Sequence, residues 1–145
     1  MFVKSILDQK TPDLISVSPA DAVSSVAALF KREGIGFALV KSDVDILIGT
    51  ISERDIIHAM AEHAEVAGLP VVEIMTTNIV KCRGDDTLES VRQSMTTQRT
   101  RHVLAMDGGH AVGVVSIGDL IKHSLDECRI DSGHMMEYIN GQGYQ

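Results

Sequence analysis

Apolar residues recur along this chain in two rhythms, and each rhythm appears twice. Residues 14–17 (Leu-Ile-Ser-Val) form a short extended run. Val23, Val26, Ala27 and Phe30 then stand at i, i+3, i+4 and i+7, one face of a helix. Ser18-Pro19-Ala20-Asp21 is its predicted start, with Ser18 as N-cap, Pro19 at the first helical position and an acid three residues after the cap. Gly34 is the predicted stop. Phe37–Val40 and Ile46–Ile51 read as strands joined by the polar run Lys41–Asp45. Ser52-Glu53-Arg54-Asp55 opens a second helix, with Ile56, Ile57, Met60 and Ala64 expected to face inward, and Gly68 and Pro70 break it.

The second half repeats the order. Ile79–Cys82 is extended, and Leu88, Val91 and Met95 line a helix. His102–Met106 and Ala111–Val115 are strands joined at Asp107-Gly108-Gly109, a hairpin signal. Ser116-Ile117-Gly118-Asp119 opens the last helix, with Leu120, Ile121 and Leu125 expected to be buried. Each half is therefore β-α-β-β-α.

Direct self-comparison supports a duplication. A shift of 65 places Asp21 on Asp86, Ser25 on Ser90, Val26 on Val91 and Leu39 on Leu104. A shift of 64 places Gly49 on Gly113, Ser52 on Ser116, Asp55 on Asp119 and Ile57 on Ile121. The one-residue change falls between Val40 and Gly49, where a loop absorbs it. The lead-ins match too: Val3-Lys4-Ser5-Ile6-Leu7 resembles Val71-Val72-Glu73-Ile74-Met75. A unit of about 60 residues is marginal alone, so the halves are expected to pack on each other. The expected divisions are residues 3–68, residues 71–128, and a polar tail 129–145 whose Met135, Met136, Tyr138 and Ile139 dock on the body or on a second chain.

Composition narrows the chemistry. The chain of 145 residues has 13 Lys plus Arg against 20 Asp plus Glu, a net charge of −7. That surplus of carboxylates argues against nucleic acid or an anionic membrane surface as the main partner. Aromatics are 3% and Trp is absent, so no stacking platform for bases exists. No run approaches the roughly 18 apolar residues of a membrane-spanning helix. The start, Met1-Phe2-Val3-Lys4, is unlike a secretory signal. Cys82 and Cys128, far apart, do not make a disulfide scaffold or a zinc site and fit a reducing cytoplasm. The six histidines have no metal-ligand spacing with a supporting acid. No nucleophile, base and orienting acid can be assembled, so catalysis is not expected.

The duplicated motifs Gly49-Thr50-Ile51-Ser52-Glu53-Arg54-Asp55 and Gly113-Val114-Val115-Ser116-Ile117-Gly118-Asp119 resemble those of a tandem pair of CBS domains, or Bateman module, over about residues 3–126. The resemblance implies an α/β fold of two β-α-β-β-α repeats packed sheet to sheet with pseudo-two-fold symmetry. It also implies binding of an adenosine-containing ligand: AMP first, or ATP, NAD or S-adenosylmethionine. Stand-alone pairs of this kind tend to dimerise and to regulate another protein, an enzyme or a transporter.

The residues give this a physical basis. Each motif stands where a strand enters a helix, and unpaired first-turn N–H groups there favour a phosphate. Ser52 and Ser116 add hydroxyls as phosphate contacts. By resemblance Asp55 and Asp119 read the ribose hydroxyls, since a carboxylate accepts from both. Ser-x-x-Asp is equally a helix-capping pattern. Arg101 and His102 precede the second-repeat strand and offer donors to phosphate oxygens, where the first repeat has Gly36 and Phe37. Convergence at the centre lets Arg101 serve the cleft of either repeat. The opening segments, with Ile15 in the first repeat and Ile79, Val80 and Lys81 in the second, would sandwich the adenine. Arg54 is able to reach a phosphate or a partner chain. The expected function is a cytoplasmic, homodimeric nucleotide sensor that signals to a partner. Its rivals are a ligand-independent interaction subunit of an enzyme or transporter, and a redox or metal sensor using the cysteines and histidines.

Overall fold

The computed structural model describes residues 1–10 and 14–139. In chain order the elements are α1 (Val3–Leu7), β1 (Ser16–Val17), α2 (Val23–Glu33), β2 (Phe37–Lys41), β3 (Leu47–Ser52) and α3 (Glu53–Glu62). The second half has β4 (Lys81–Arg83), α4 (Leu88–Gln98), β5 (His102–Asp107), β6 (His110–Ser116) and α5 (Ile117–Ile139). Two short 3₁₀ turns, Val66–Gly68 and Val71–Glu73, join the halves.

The β-α-β-β-α reading holds in both repeats. β1-β2-β3 and β4-β5-β6 form two three-stranded sheets, each with a parallel first pair and an antiparallel second pair. The register slips at Val40/Lys41 in one sheet and at Ala105/Met106 in the other, matching positions under the 65-residue shift. Gly108 and Gly109 take φ of 54° and 82°, the two positive values a type I′ hairpin needs.

Each sheet has its own core. Val17, Val26, Phe30, Val40 and Ile51 fill the first, and Val91, Met95, Val103, Val115 and Leu120 the second. The lead-in segments close these cores crosswise. Val3 and Ile6 of α1 lie in the second-repeat core, and Val71 lies in the first. The backbone bonds are paired in the same way: Val3 N donates to Asp86 O and Val71 N to Asp21 O, both at 2.9 Å. The N-terminal segment thus crosses to the far repeat and ties the halves together, which the pairwise match of the lead-ins does not reveal.

Four local expectations are corrected. Ser18–Asp21 is a turn, with Ser18 N donating to the Asp21 carboxylate, and α2 begins at Val23 after Ala22. Ile57, Met60 and Ala64 are exposed, with Ile57 at 63% and Met60 at 62%, while Ala59 takes the buried position. Leu120 is buried, but Ile121 and Leu125 are 55% and 54% exposed. Each of these helices is covered on one side only, and 3.6-residue periodicity cannot tell which of two apolar stripes the sheet takes. Finally, the expected tail from 129 is helical through Ile139, a continuation of α5. Met135 and Met136 on it are exposed and do not dock on the body. The side chains of Tyr138 and Ile139, and residues 140–145, lie outside the described ones.

Candidate functional site

Two clefts flank a stacked pair of rings. Phe37 and His102, matching residues under the 65-residue shift, lie with centroids 4.7 Å apart and planes at 19°. They occupy the local pseudo-two-fold position and form a wall of both clefts.

One cleft, a cavity of about 250 Å³, is built on the first motif. Ser52, Arg54 and Asp55 line it from the start of α3. The second repeat supplies Ile79 and Val80 before β4, and Arg99 with Arg101 before β5. The structure therefore brings together seven of the expected residues: Ser52, Arg54, Asp55, Ile79, Val80, Arg101 and His102. Arg101 is exposed at the mouth of this cleft, not in the lining of the cleft beside Asp119.

Ser52 caps α3 because its extended backbone (φ −125°, ψ 163°) points its side chain back at the first turn. Asp55 N donates to Ser52 Oγ at 3.2 Å, and Ser52 N donates to Asp55 Oδ2 at 2.9 Å, a complete capping box. Ser52 Oγ also donates to Asp55 Oδ2 at 3.0 Å. Thr76 Oγ1 donates to Asp55 Oδ1 at 2.9 Å, so both carboxylate oxygens are held and the side chain is fixed in direction. Glu53 N is bonded to Gly36 O, and its counterpart Ile117 N to Arg101 O. The first-turn donors are thus mostly committed to the chain itself. The anion-binding groups left facing this cleft are the guanidinium side chains.

Arg99 is the notable one. It ends α4 in the left-handed conformation, φ 52°, where the matching first-repeat residue is Gly34 at φ 65°. A side chain in that conformation costs about 1–2 kcal/mol. Its carbonyl accepts from Arg54 Nη1 at 2.8 Å, which fixes one guanidinium against the negative end of a helix. Sequence reasoning did not single out Arg99, Thr76 or Asn78. The signal for Arg99 was its alignment with the helix-ending Gly34.

The other cleft, about 360 Å³, is built on the second motif. Ser116 lines it, opposite Gly34 and Gly36 of the first repeat. Its cap repeats the first: Ser116 N donates to Asp119 Oδ2 at 2.8 Å and Asp119 N donates to Ser116 Oγ at 3.2 Å. Here Lys10 Nζ also binds Asp119 Oδ2, at 2.8 Å, and Val114 O at 2.9 Å. Burial pushes the Asp119 carboxyl up, but the bonds from Lys10 and Ser116 outweigh it and hold it below its ordinary 3.8. Burial lowers the His102 imidazole below 6.5, with Glu53 opposing and Lys10 reinforcing. The ring is therefore neutral at pH 7 and supplies a hydrogen bond, not a charge.

Three expected residues line neither cleft: Asp119, which is bonded to the cavity-lining Lys10 but is not itself in the lining, and Ile15 and Lys81. Ile15 packs against the first-repeat core and its carbonyl accepts from Leu39 N. The Lys81 side chain is exposed on β4. Cys82 is buried, and burial followed by Asp86 pushes its thiol up to about 11, so it is a thiol and not a reactive thiolate at pH 7. Among the described residues, no group of three His, Cys, Asp or Glu is placed to hold a metal ion, and no helix is long and apolar enough to cross a membrane.

The family model described as "CBS domain" matches residues 3–62 and again 71–126. The chain is 29% identical over 123 residues to the CBS domain-containing protein YhcV of Bacillus subtilis, covering 85% of this chain and 87% of that one. It is similar to the crystal structure of the CBS-domain containing protein ATU1752 from Agrobacterium tumefaciens, with TM-score 0.81, 33% identity, and coverage of 83% and 91%. It shares its fold with the CBS domain protein PAE2072 from Pyrobaculum aerophilum, solved in complex with AMP, with TM-score 0.71, 24% identity, and coverage of 82% and 89%.

Proposed function

The chain belongs to the CBS-domain family, with the domain present twice, and on that premise we propose that it is a regulatory module holding an adenine nucleotide in the Asp55 cleft. The observation that carries this reading is the convergence of Asp55 with Arg54, Arg99 and Arg101 around one cavity. A fixed carboxylate accepts from ribose hydroxyls, and guanidinium forks suit phosphate oxygens. Ile79 and Val80 supply apolar and backbone contact for the base. AMP is the first candidate, since it is the ligand of one neighbour of the same fold; ATP, NAD and S-adenosylmethionine are the others. The role is binding rather than catalysis.

Ligand occupancy is read out through a homodimer and a regulated partner. Ile57 on α3 and Ile121 on α5 are matching residues, and both are exposed. The apolar outer faces are therefore themselves related by the pseudo-two-fold, which supports a second copy of this chain as their occupant under two-fold symmetry. Ile121→Glu is expected to convert a dimer to a monomer in sedimentation.

The deciding test is a thermal-shift panel of the stripped protein against AMP, ATP, NAD and S-adenosylmethionine. A ligand at 100 times its Kd stabilises by about 2.7 kcal/mol. At this size the midpoint rises by several degrees, roughly 5–15 °C. The shift should vanish in Asp55→Ala at the same ligand concentration. No shift with any of the four would favour the ligand-independent interaction subunit, which the same exposed faces would also serve.

A further inference from the structure

The two clefts differ most at one position of the lead-in segments. Lys10 stands seven residues after Val3, and Asn78 seven residues after Val71. These are matching places, and each faces the cleft of the opposite repeat. In the Asp55 cleft the lead-in brings an amide, and a neutral hydroxyl, that of Thr76, reaches the carboxylate. In the Asp119 cleft it brings an ammonium, which bridges Asp119 Oδ2 and Val114 O. Val114 is the counterpart of Thr50, whose carbonyl accepts from Thr76 N.

We propose that Lys10 is a tethered occupant of the Asp119 cleft, which decides that nucleotide enters the Asp55 cleft first. The proposal rests on the Asp55 reading above for the ligand class. An ammonium on a carboxylate adds an ion-pair attraction that a hydroxyl on the same carboxylate lacks. Ribose hydroxyls, being neutral, do not recover what Asp119 loses when the ammonium leaves. The Thr76 hydroxyl presents no such barrier, because it rotates and accepts as readily as it donates. The Lys10 side chain is 38% exposed and Asp119 20%, so the pair is partly sheltered from solvent screening. Among the described residues, Lys10 is the only Lys or Arg lining this cavity, against three arginines around the other. A phosphate that did enter would have to draw Lys10 away from Asp119 to find a cation.

The test is equilibrium dialysis with labelled AMP on the whole chain, comparing wild type with Lys10→Ala and Lys10→Gln. One AMP per chain in wild type and two in the Lys10 variants is the expected result. The second AMP should persist in the Asp55→Ala/Lys10→Ala double variant, which assigns it to the Asp119 cleft. One AMP in both wild type and the variants overturns the proposal and leaves the Asp55 reading standing. Two in wild type also overturns it, and a fall on removing Lys10 overturns it and makes Lys10 a phosphate contact. None in wild type but one in Lys10→Ala upholds the occupant and sinks the Asp55 reading. None in any of them sinks both.

Discussion

The Asp55 and Asp119 clefts start from the same backbone and end with different chemistry. Both have a serine cap, an aspartate one turn in, and a wall made by the Phe37–His102 stack. The duplicated motif fixes the cap and the acid, and the stacking of Phe37 of β2 on His102 of β5 across the pseudo-two-fold supplies the wall. The difference comes from the residues each motif meets across the repeat boundary. Arg99 and Arg101 line the cavity that holds Asp55, where Gly34 and Gly36 line the one built on Ser116. Asp55 is held by neutral donors, Asp119 by an ammonium. A duplicated site thus becomes two sites when only the borrowed side changes.

The contrast is sharpest if the borrowed arginine is erased. Arg101→Gly installs the first-repeat residue in the second repeat. Hydrogen bonds to charged groups contribute about 1.5–3 kcal/mol each. AMP affinity should therefore fall at least tenfold by calorimetry, while adenosine affinity stays within twofold. An equal loss for both ligands would mean that Arg101 shapes the cleft instead of binding phosphate.

The caps offer the next test. Ser52→Ala and Ser116→Ala each remove an N-cap, worth about 1 kcal/mol. The Ser52 loss should be the larger, since its hydroxyl also donates to Asp55 Oδ2. Urea unfolding of the two variants measures the order directly, and a larger loss at Ser116 would reverse the ranking.

Smaller still is the exchange at the helix ends. Arg99→Gly relieves a left-handed side chain and should raise stability by up to about 1 kcal/mol, while weakening AMP binding. Gly34→Ala, at φ 65°, should lower stability by a similar amount and leave binding in the Asp55 cleft unchanged. A stabilised Arg99→Gly that still binds AMP normally would remove Arg99 from the site.

The smallest effect is that of pH. The folded state holds His102 below its ordinary 6.5, so the unfolded chain takes up the proton first. His102 therefore contributes stability that is complete above pH 6.5 and declines as pH falls through 6.5 toward the folded value. His102→Phe keeps a ring for the stack and should flatten the Tm difference between pH 7.5 and 5.5. Asp119 has its own window lower down: its contribution is complete above 3.8 and is lost as pH falls below that.

Much of this was legible in the sequence. Apolar spacing fixed both α2 and α4, because Val23, Val26 and Phe30, like Val91 and Met95, have one sheet to cover. The hairpin at Gly108-Gly109 followed from turn chemistry alone. Ser52 and Asp55 were identifiable because capping is local, within one helical turn. Ile57 and Ile121 were misplaced, because a period of 3.6 gives the angle between apolar stripes and not which stripe the body covers.

Local chemistry, acting within about a turn or a hairpin, was enough to specify the duplicated elements, the Ser52 and Ser116 caps and the motif acids, though not the start of α2. Which repeat lends its residues to which acid was settled by long-range packing. Crossing of the lead-ins puts Val3 in the second-repeat core and Val71 in the first-repeat core. The same crossing carries Lys10 to Asp119, 109 residues away along the chain. No local propensity specifies such a contact. It is set by the burial of two apolar lead-ins in each other's cores, a term that exists only once both halves are folded together.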